Sequence, residues 1–99
     1  MKHPFKIILL LSLLLASYSY AQNNTLSGKI SSDGEELPYV NIYLKKNKLG
    51  SASDSNGFYQ IKNIPNGTYT LIISSVGYKT KSVTIAFNNT QIIRDFSLE

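Results

Sequence analysis

Cysteine and tryptophan are absent from the 99 residues, and histidine occurs once, as His3. Without cysteine there is no disulfide framework, no thiol nucleophile and no thiolate metal site. A lipid-modified cysteine behind an apolar leader is excluded for the same reason. Beyond His3 neither His nor Cys is available. Ser-His-Asp and Cys-His nucleophile systems and His-ligated zinc therefore have nothing to be built from. The nearest thing to a carboxylate pair is the group Asp33, Glu35 and Glu36. These lie in a polar turn, where water solvates every carboxylate alike and nothing sets an acid apart from a base. The chain reads as non-catalytic, with no cofactor.

Long apolar runs are missing too. A membrane-spanning helix needs ~20 apolar residues, and the longest run here, Ile7 to Leu15, is short and interrupted by Ser12. It follows a basic start with Lys2 and Lys6 and precedes a small, weakly polar stretch from Ala16 to Ala21. Ser19 and Ala21 suit the two small-residue positions of a signal-peptidase site. Together these parts make residues 1–21 a signal peptide, with an uncleaved N-terminal anchor as the competing reading. Residues 22–99 have the length of one small domain. That part carries eight basic and six acidic residues, a net charge of +2. Its one basic cluster, Lys45, Lys46 and Lys48, reads as the solvated end of a hairpin. Nucleic acids and acidic membrane surfaces are therefore not expected partners. An exported domain of this size without disulfides must be held by aliphatic and aromatic packing. A β-sandwich supplies that packing from two inner faces.

What is present is a period of two, almost from end to end. Leu26, Gly28 and Ile30 alternate with Ser27, Lys29 and Ser31, and Val40, Ile42 and Leu44 alternate with Asn41, Tyr43 and Lys45. A short strand covers about residues 51–53; Tyr59 and Ile61, then Tyr69, Leu71 and Ile73, then Val83, Ile85 and Phe87 follow, and Ile92, Phe96 and Leu98 end the chain. Turn residues stand between these runs: Asp33-Gly34, Asn47 to Gly50, Asp54-Ser55-Asn56-Gly57, Ile64-Pro65-Asn66-Gly67, Gly77-Tyr78 and Asn88-Asn89. Seven short strands with turn signals between them predict an all-β, immunoglobulin-like sandwich. The expected interior is Leu26, Ile30, Val40, Ile42, Leu44, Tyr59, Ile61, Tyr69, Leu71, Ile73, Val83, Ile85 and Phe96.

The turn residues have structural roles to play. The Asp54 carboxylate is placed to accept backbone N–H groups, and Asp54 to Gly57 lacks calcium-loop spacing. Pro65 and Gly67 bracket a tight turn. Tyr78 after Gly77 is expected to pack its ring on the core edge and give its hydroxyl to backbone. Tyr39, Tyr43, Phe58 and Ile72 fall on the solvent phase. Exposed aromatics mark either an interaction surface or cross-strand pairs that stabilise a sheet unaided, and the sequence leaves both open. Asn23-Asn24-Thr25, Asn66-Gly67-Thr68 and Asn88-Asn89-Thr90 match the N-glycosylation pattern, which an Asn- and Thr-rich chain meets by chance.

Gly50, Asp54, Gly57, Tyr59, Ile61, Ile64, Pro65, Gly67, Tyr69 and Leu71, followed by Ser74, Gly77 and Tyr78, have the order and spacing of a known pattern. The chain thereby resembles the carboxypeptidase regulatory-like domain over about residues 24–98. Leu26 to Ile30 and Leu37 to Ile42 match that family's opening strands. Tyr39 departs from it, since a small residue usually follows Leu-Pro there. Ser-Ala-Ser at residues 51–53 departs too, where threonines are common. The resemblance implies a seven-stranded, transthyretin-like sandwich without catalysis. Such domains often follow the signal peptide of TonB-dependent outer-membrane receptors, ahead of plug and barrel, and also occur in secreted peptidases and surface proteins. It implies a periplasmic, outer-membrane-associated or cell-surface location and a protein partner in the cell envelope. Two functions stay open: an accessory module of such a receptor, or a free exported domain that binds a protein or glycan. Cleavage after Ala21 is expected to give a mature N-terminus at Gln22, read by intact mass. A membrane-bound species retaining Met1 to Leu15 would overturn it.

Overall fold

The computed structural model describes residues 24–99, so the expected signal peptide lies outside the described residues. The described chain folds as two β-sheets packed face to face, with no helix among the described residues. The strands are β1 (Asn24–Ser32), β2 (Glu35–Glu36), β3 (Asn41–Leu44), β4 (Gly50–Ala52), β5 (Phe58–Ile64), β6 (Gly67–Ser74), β7 (Lys81–Phe87), β8 (Gln91–Ile93) and β9 (Phe96–Ser97). All seven sequence runs are strands. Glu35–Glu36 adds a short one, and the last run is broken in two at Arg94-Asp95.

The first sheet is organised around β1. It pairs antiparallel with β5 and β2 and parallel with β8 and β9. The β1–β2 hairpin turns through Asp33 and Gly34, both with positive φ (51° and 82°). This two-residue geometry matches the right-handed twist of the flanking strands. The second sheet is wholly antiparallel, in the order β4-β3-β6-β7.

Between the sheets the alternating positions interlock. Leu26 and Ile30 of β1 and Tyr59 and Ile61 of β5 meet Ile42, Leu44, Leu71, Ile73 and Ile85 of the second sheet, all buried. Val83, expected inside, is only half-buried, because β7 is the outer strand of its sheet. Ile64, in what reads as a turn, is fully buried. The cause is a register shift: Leu26 faces Ile61 but Asn24 faces Ile64, and Asn63 takes a φ of 59° between them. Such a bulge adds one residue and reverses the side-chain phase, so Ile64 continues the inward row.

Asn24 is the buried polar residue of β1. Its amide nitrogen donates to the Ile64 carbonyl (2.8 Å) and to Asn66 Oδ1 (2.7 Å), and its oxygen accepts from Thr90 N (2.7 Å). Asn66 Oδ1 also accepts from Asn89 N (3.0 Å). The Asn-x-Thr segments at residues 66 and 88 thus join β1 in one network tying the β5–β6 and β7–β8 turns together. Leu71 sits at the centre of the second sheet, opposite Leu44 on one side and Val83 on the other, fully buried. Leu71→Ala is expected to cost about 2–5 kcal/mol, a large share of the ~5–15 kcal/mol such a domain has. Thr84→Ala, on the outer face, should stay within about 0.5 kcal/mol of the parent. Equal thermal melts for Leu71→Ala and the parent would indicate a one-residue slip in register.

Candidate functional site

Among the described residues there is no thiol or imidazole, so the groups available for chemistry are carboxylates, amines, guanidinium, amides and hydroxyls. Among the described residues, no three acidic side chains come together in a geometry that could hold a metal ion. Asp54 Oδ1 accepts from the backbone N–H of Asn56 (2.8 Å) and Phe58 (3.0 Å). Gly57, at φ 79°, donates its N–H to the Asp54 carbonyl (3.0 Å). A Cβ there would lie 2.7 Å from the Ile30 carbonyl oxygen, so only glycine lets this turn dock on β1. Glu36 forms an exposed ion pair with Lys29 at 3.5 Å, the kind worth little in water.

Against the β8–β9 break stands the one strongly perturbed titratable group among the described residues. Arg94 and Asp95 cross β1 at Gly28, where a Cβ would collide with the Arg94 carbonyl oxygen. Opposite Gly28 stands Tyr59, whose hydroxyl donates to that same carbonyl (2.6 Å) and whose ring lies 6.2 Å from Phe96. Asp95 Oδ1 accepts from Lys29 N at 2.8 Å. Burial pushes the Tyr59 hydroxyl well above the ordinary phenol range; the Asp95 charge adds to this and Arg94 opposes it. This is a structural bond inside the core.

The structure divides the four solvent-phase residues. Tyr43 and Ile72 face each other across β3 and β6. Phe58 lies on the other sheet, opposite Lys29. Tyr39 is not on a strand: it occupies the turn before β3, with a φ of 60° and 72% of its surface exposed. Sequence reasoning missed the residue that holds this turn. Ser53 is buried; its hydroxyl donates to the Leu37 carbonyl (2.7 Å) and accepts from Val40 N (2.8 Å), and its carbonyl accepts from Tyr39 N (2.8 Å). Its only sequence signal was a polar residue on the inward phase after Ser51. Pro65 lies in the β5–β6 turn and Gly67 opens β6. Tyr69 donates its hydroxyl to the Pro65 carbonyl (2.9 Å). Gly77 lies in the exposed turn that ends with the Tyr78 N–H donating to the Ser75 carbonyl (3.2 Å). The Tyr78 ring packs on the core edge, but its hydroxyl has no protein partner among the described residues; Tyr59 and Tyr69 make the hydroxyl-to-backbone bonds instead.

The two outer faces differ in kind. On the β1 sheet, exposed Phe58 of β5 stands opposite Lys29 and exposed Ile93 of β8 stands opposite Ser27, so β1 runs between them. On the other sheet the rows read Ala52–Asn41–Ser74, Gly50–Tyr43–Ile72–Ser82, Thr70–Thr84 and Thr68–Ala86, and none of these positions is charged. Asn41, Tyr43, Gly50, Ser51 and Ser74 border an open depression in that second face.

An unfolded tyrosine ionises near pH 10, whereas folded Tyr59 stays neutral beyond that. Its contribution to stability is therefore complete below about pH 10 and falls away as pH rises further. Tyr59→Phe is expected to be less stable at neutral pH, having lost the Arg94 bond, and to lose stability less steeply above about pH 10. Denaturant melts at neutral and alkaline pH check this; parallel pH profiles would show that this hydroxyl is not the group that titrates.

Residues 26–99 match the CarboxypepD_reg-like domain family. TonB-dependent receptor P26 of Formosa agariphila is 35% identical over 82 residues, covering 83% of this chain and 8% of the receptor. TonB-dependent receptor P3 of the same organism is 32% identical over 81 residues, covering 80% of this chain and 8% of the receptor. The chain thus spans about 8% of the length of these curated relatives. In fold it resembles a chain of a type II cohesin–X-dockerin complex from Acetivibrio cellulolyticus, with a TM-score of 0.67, 20% identity, and coverage of 76% of this chain and 56% of that one. On the family match, which runs from β1 to the last residue, this chain belongs to the CarboxypepD_reg-like domain family.

Proposed function

We propose that the chain is an exported, non-catalytic accessory module of a TonB-dependent receptor-type transport system. Its sandwich stands as the periplasmic N-terminal domain of such a receptor, or as a fragment of one. It works by contact and supports nutrient uptake without transforming a substrate. The observation that carries this reading is the alignment of four-fifths of the chain to a small part of two TonB-dependent receptors. The chemistry agrees with it: the carboxylates of Asp54 and Asp95 are engaged in holding backbone. The protein contact belongs on the β1 sheet, where Phe58 and Ile93 are exposed on the two strands that flank β1, with Ser27 and Lys29 of β1 between them.

A second reading, an exported domain that by itself recognises a protein or glycan, is favoured by the nearly uncharged outer face of the β4-β3-β6-β7 sheet. Cells making the full chain with its own leader test the first reading. Fractionation is expected to place it in the periplasm or outer membrane. A photo-crosslinker at position 58 should capture an envelope protein, and Phe58→Ser should lower that partner's recovery while leaving the melt nearly unchanged. Recovery in the cytosol with the leader intact would overturn the proposal.

A further inference from the structure

We infer that the outer face of the β4-β3-β6-β7 sheet binds a neutral polysaccharide, with Tyr43 and Tyr39 as its aromatic contacts. The inference rests on the reading that this domain acts by contact, and it names the ligand class. The face carries one charge, Lys45, which follows Tyr43 in the same phase and donates its backbone N–H to the Thr70 carbonyl (2.9 Å); every other position in its rows is uncharged. A highly charged ligand laid there would give up hydration with a single counter-charge to replace it, a large cost. A neutral ligand meets no such cost. The hydroxyls of Thr70, Ser74, Ser82 and Thr84 have no protein partner among the described residues. Each is both donor and acceptor, which is what a polymer of hydroxyl groups needs.

The strands of the face carry one aromatic ring, at the border of the open depression. Tyr43 is 40% exposed, with Ile72 on one side and Gly50 on the other. A Cβ on Gly50 would come within 2.8 Å of the Tyr43 Cβ, so the missing side chain leaves the Tyr43 side chain its room. The electron-rich face of a tyrosine ring suits the C–H face of a sugar ring, as it suits the positive edge of another aromatic.

Tyr39 supplies the second observation. It lies two residues before Asn41, in the turn that leads into β3, with a φ of 60°. A bulky residue in that conformation is strained, and strain that persists is a pointer to function. Burial gives nothing in return, since 72% of the side chain's residue surface is exposed. The face also lacks the anchors that a second copy of the chain would need. One aromatic on the strands and no arginine fall short of the clusters that anchor protein partners.

Affinity electrophoresis of the full chain tests the inference. The gels contain β-glucan, β-mannan, xylan or α-glucan, with alginate as the anionic control. At least one neutral polymer is expected to retard the chain and alginate is not. Tyr43→Ala should weaken that retardation at least tenfold, and Thr84→Lys should weaken it without lowering the melting temperature. Phe58→Ala, on the other sheet, should leave it unchanged. Tyr39→Asn is the sharpest variant, because asparagine tolerates positive φ. It should melt no lower than the parent and still bind the polymer several-fold more weakly, a combination that a structural role for Tyr39 does not give. Retardation by none of the neutral polymers overturns the inference, as does retardation that survives Tyr43→Ala. Concentration-dependent self-association abolished by Thr84→Lys would assign the face to a second copy instead. None of these results alters the compartment in which the chain is found, so the envelope reading stands or falls separately.

Discussion

The missing side chain at Gly28 is the constraint on which the first sheet depends. It lets the Arg94 carbonyl lie against β1, and Tyr59 then satisfies that carbonyl from the core side. The same crossing brings Asp95 to the Lys29 N–H and allows Phe96 and Leu98 to enter the core as β9 begins. Any larger residue at position 28 would push the crossing outward. Tyr59 would then hold a buried hydroxyl without a partner, which costs more than an average hydrogen bond gains. At the other end of β1, Asn24 plays the matching part through polar contacts. With Asn66 and Asn89 it fastens three chain segments that hydrophobic packing alone would leave splayed.

With the interior closed in this way, the molecule has two unlike surfaces for contact. The β1 sheet mixes charge with the apolar side chains of Phe58 and Ile93. The β4-β3-β6-β7 sheet offers hydroxyls, small residues and the Tyr43–Ile72 pair. Cross-strand pairs of that type stabilise a sheet by about 0.2–1 kcal/mol without any ligand, so Tyr43 has a structural use whatever it binds. Tyr39 has no such use. Its turn is held in place by the buried Ser53 hydroxyl, which ties Leu37 to Val40 and leaves Tyr39 to take the left-handed conformation between them.

Most of the fold was legible because the inner faces are filled by a strict alternation of large apolar residues. Leu26, Ile42, Leu71 and Ile85 announce their burial in this way. The alternation fails where the backbone adds a residue. The bulge at Asn63 reverses the phase, and Ile64 moves from an expected turn into the core. Polar burial was not legible either. Asn24 and Ser53 look like surface residues, and their burial is set by carbonyls and amides more than ten residues away in sequence. Of the four residues read as solvent-phase, Tyr43 and Phe58 are exposed on strands, Ile72 is half-buried and Tyr39 lies in a turn. Their adjacency depends on which strands share a sheet, a long-range fact that local spacing does not carry, and Phe58 proved to belong to the opposite face from Tyr43.

The parallel pairing of β1 with β8 and β9 has a mechanical consequence. The first described strand and the last two run side by side in the same direction. Tension applied between the start of β1 and the end of β9 therefore pulls neighbouring strands past one another. The bonds between them, including those from Arg94 N to the Ser27 carbonyl and Leu98 N to the Ser31 carbonyl, lie across the line of pull and share the load. An antiparallel hairpin pulled at its open end would release its bonds one at a time. A domain strung between two other parts of a longer chain would thus resist extension as a single unit, with the Gly28 crossing seated between the two parallel segments that bear the load.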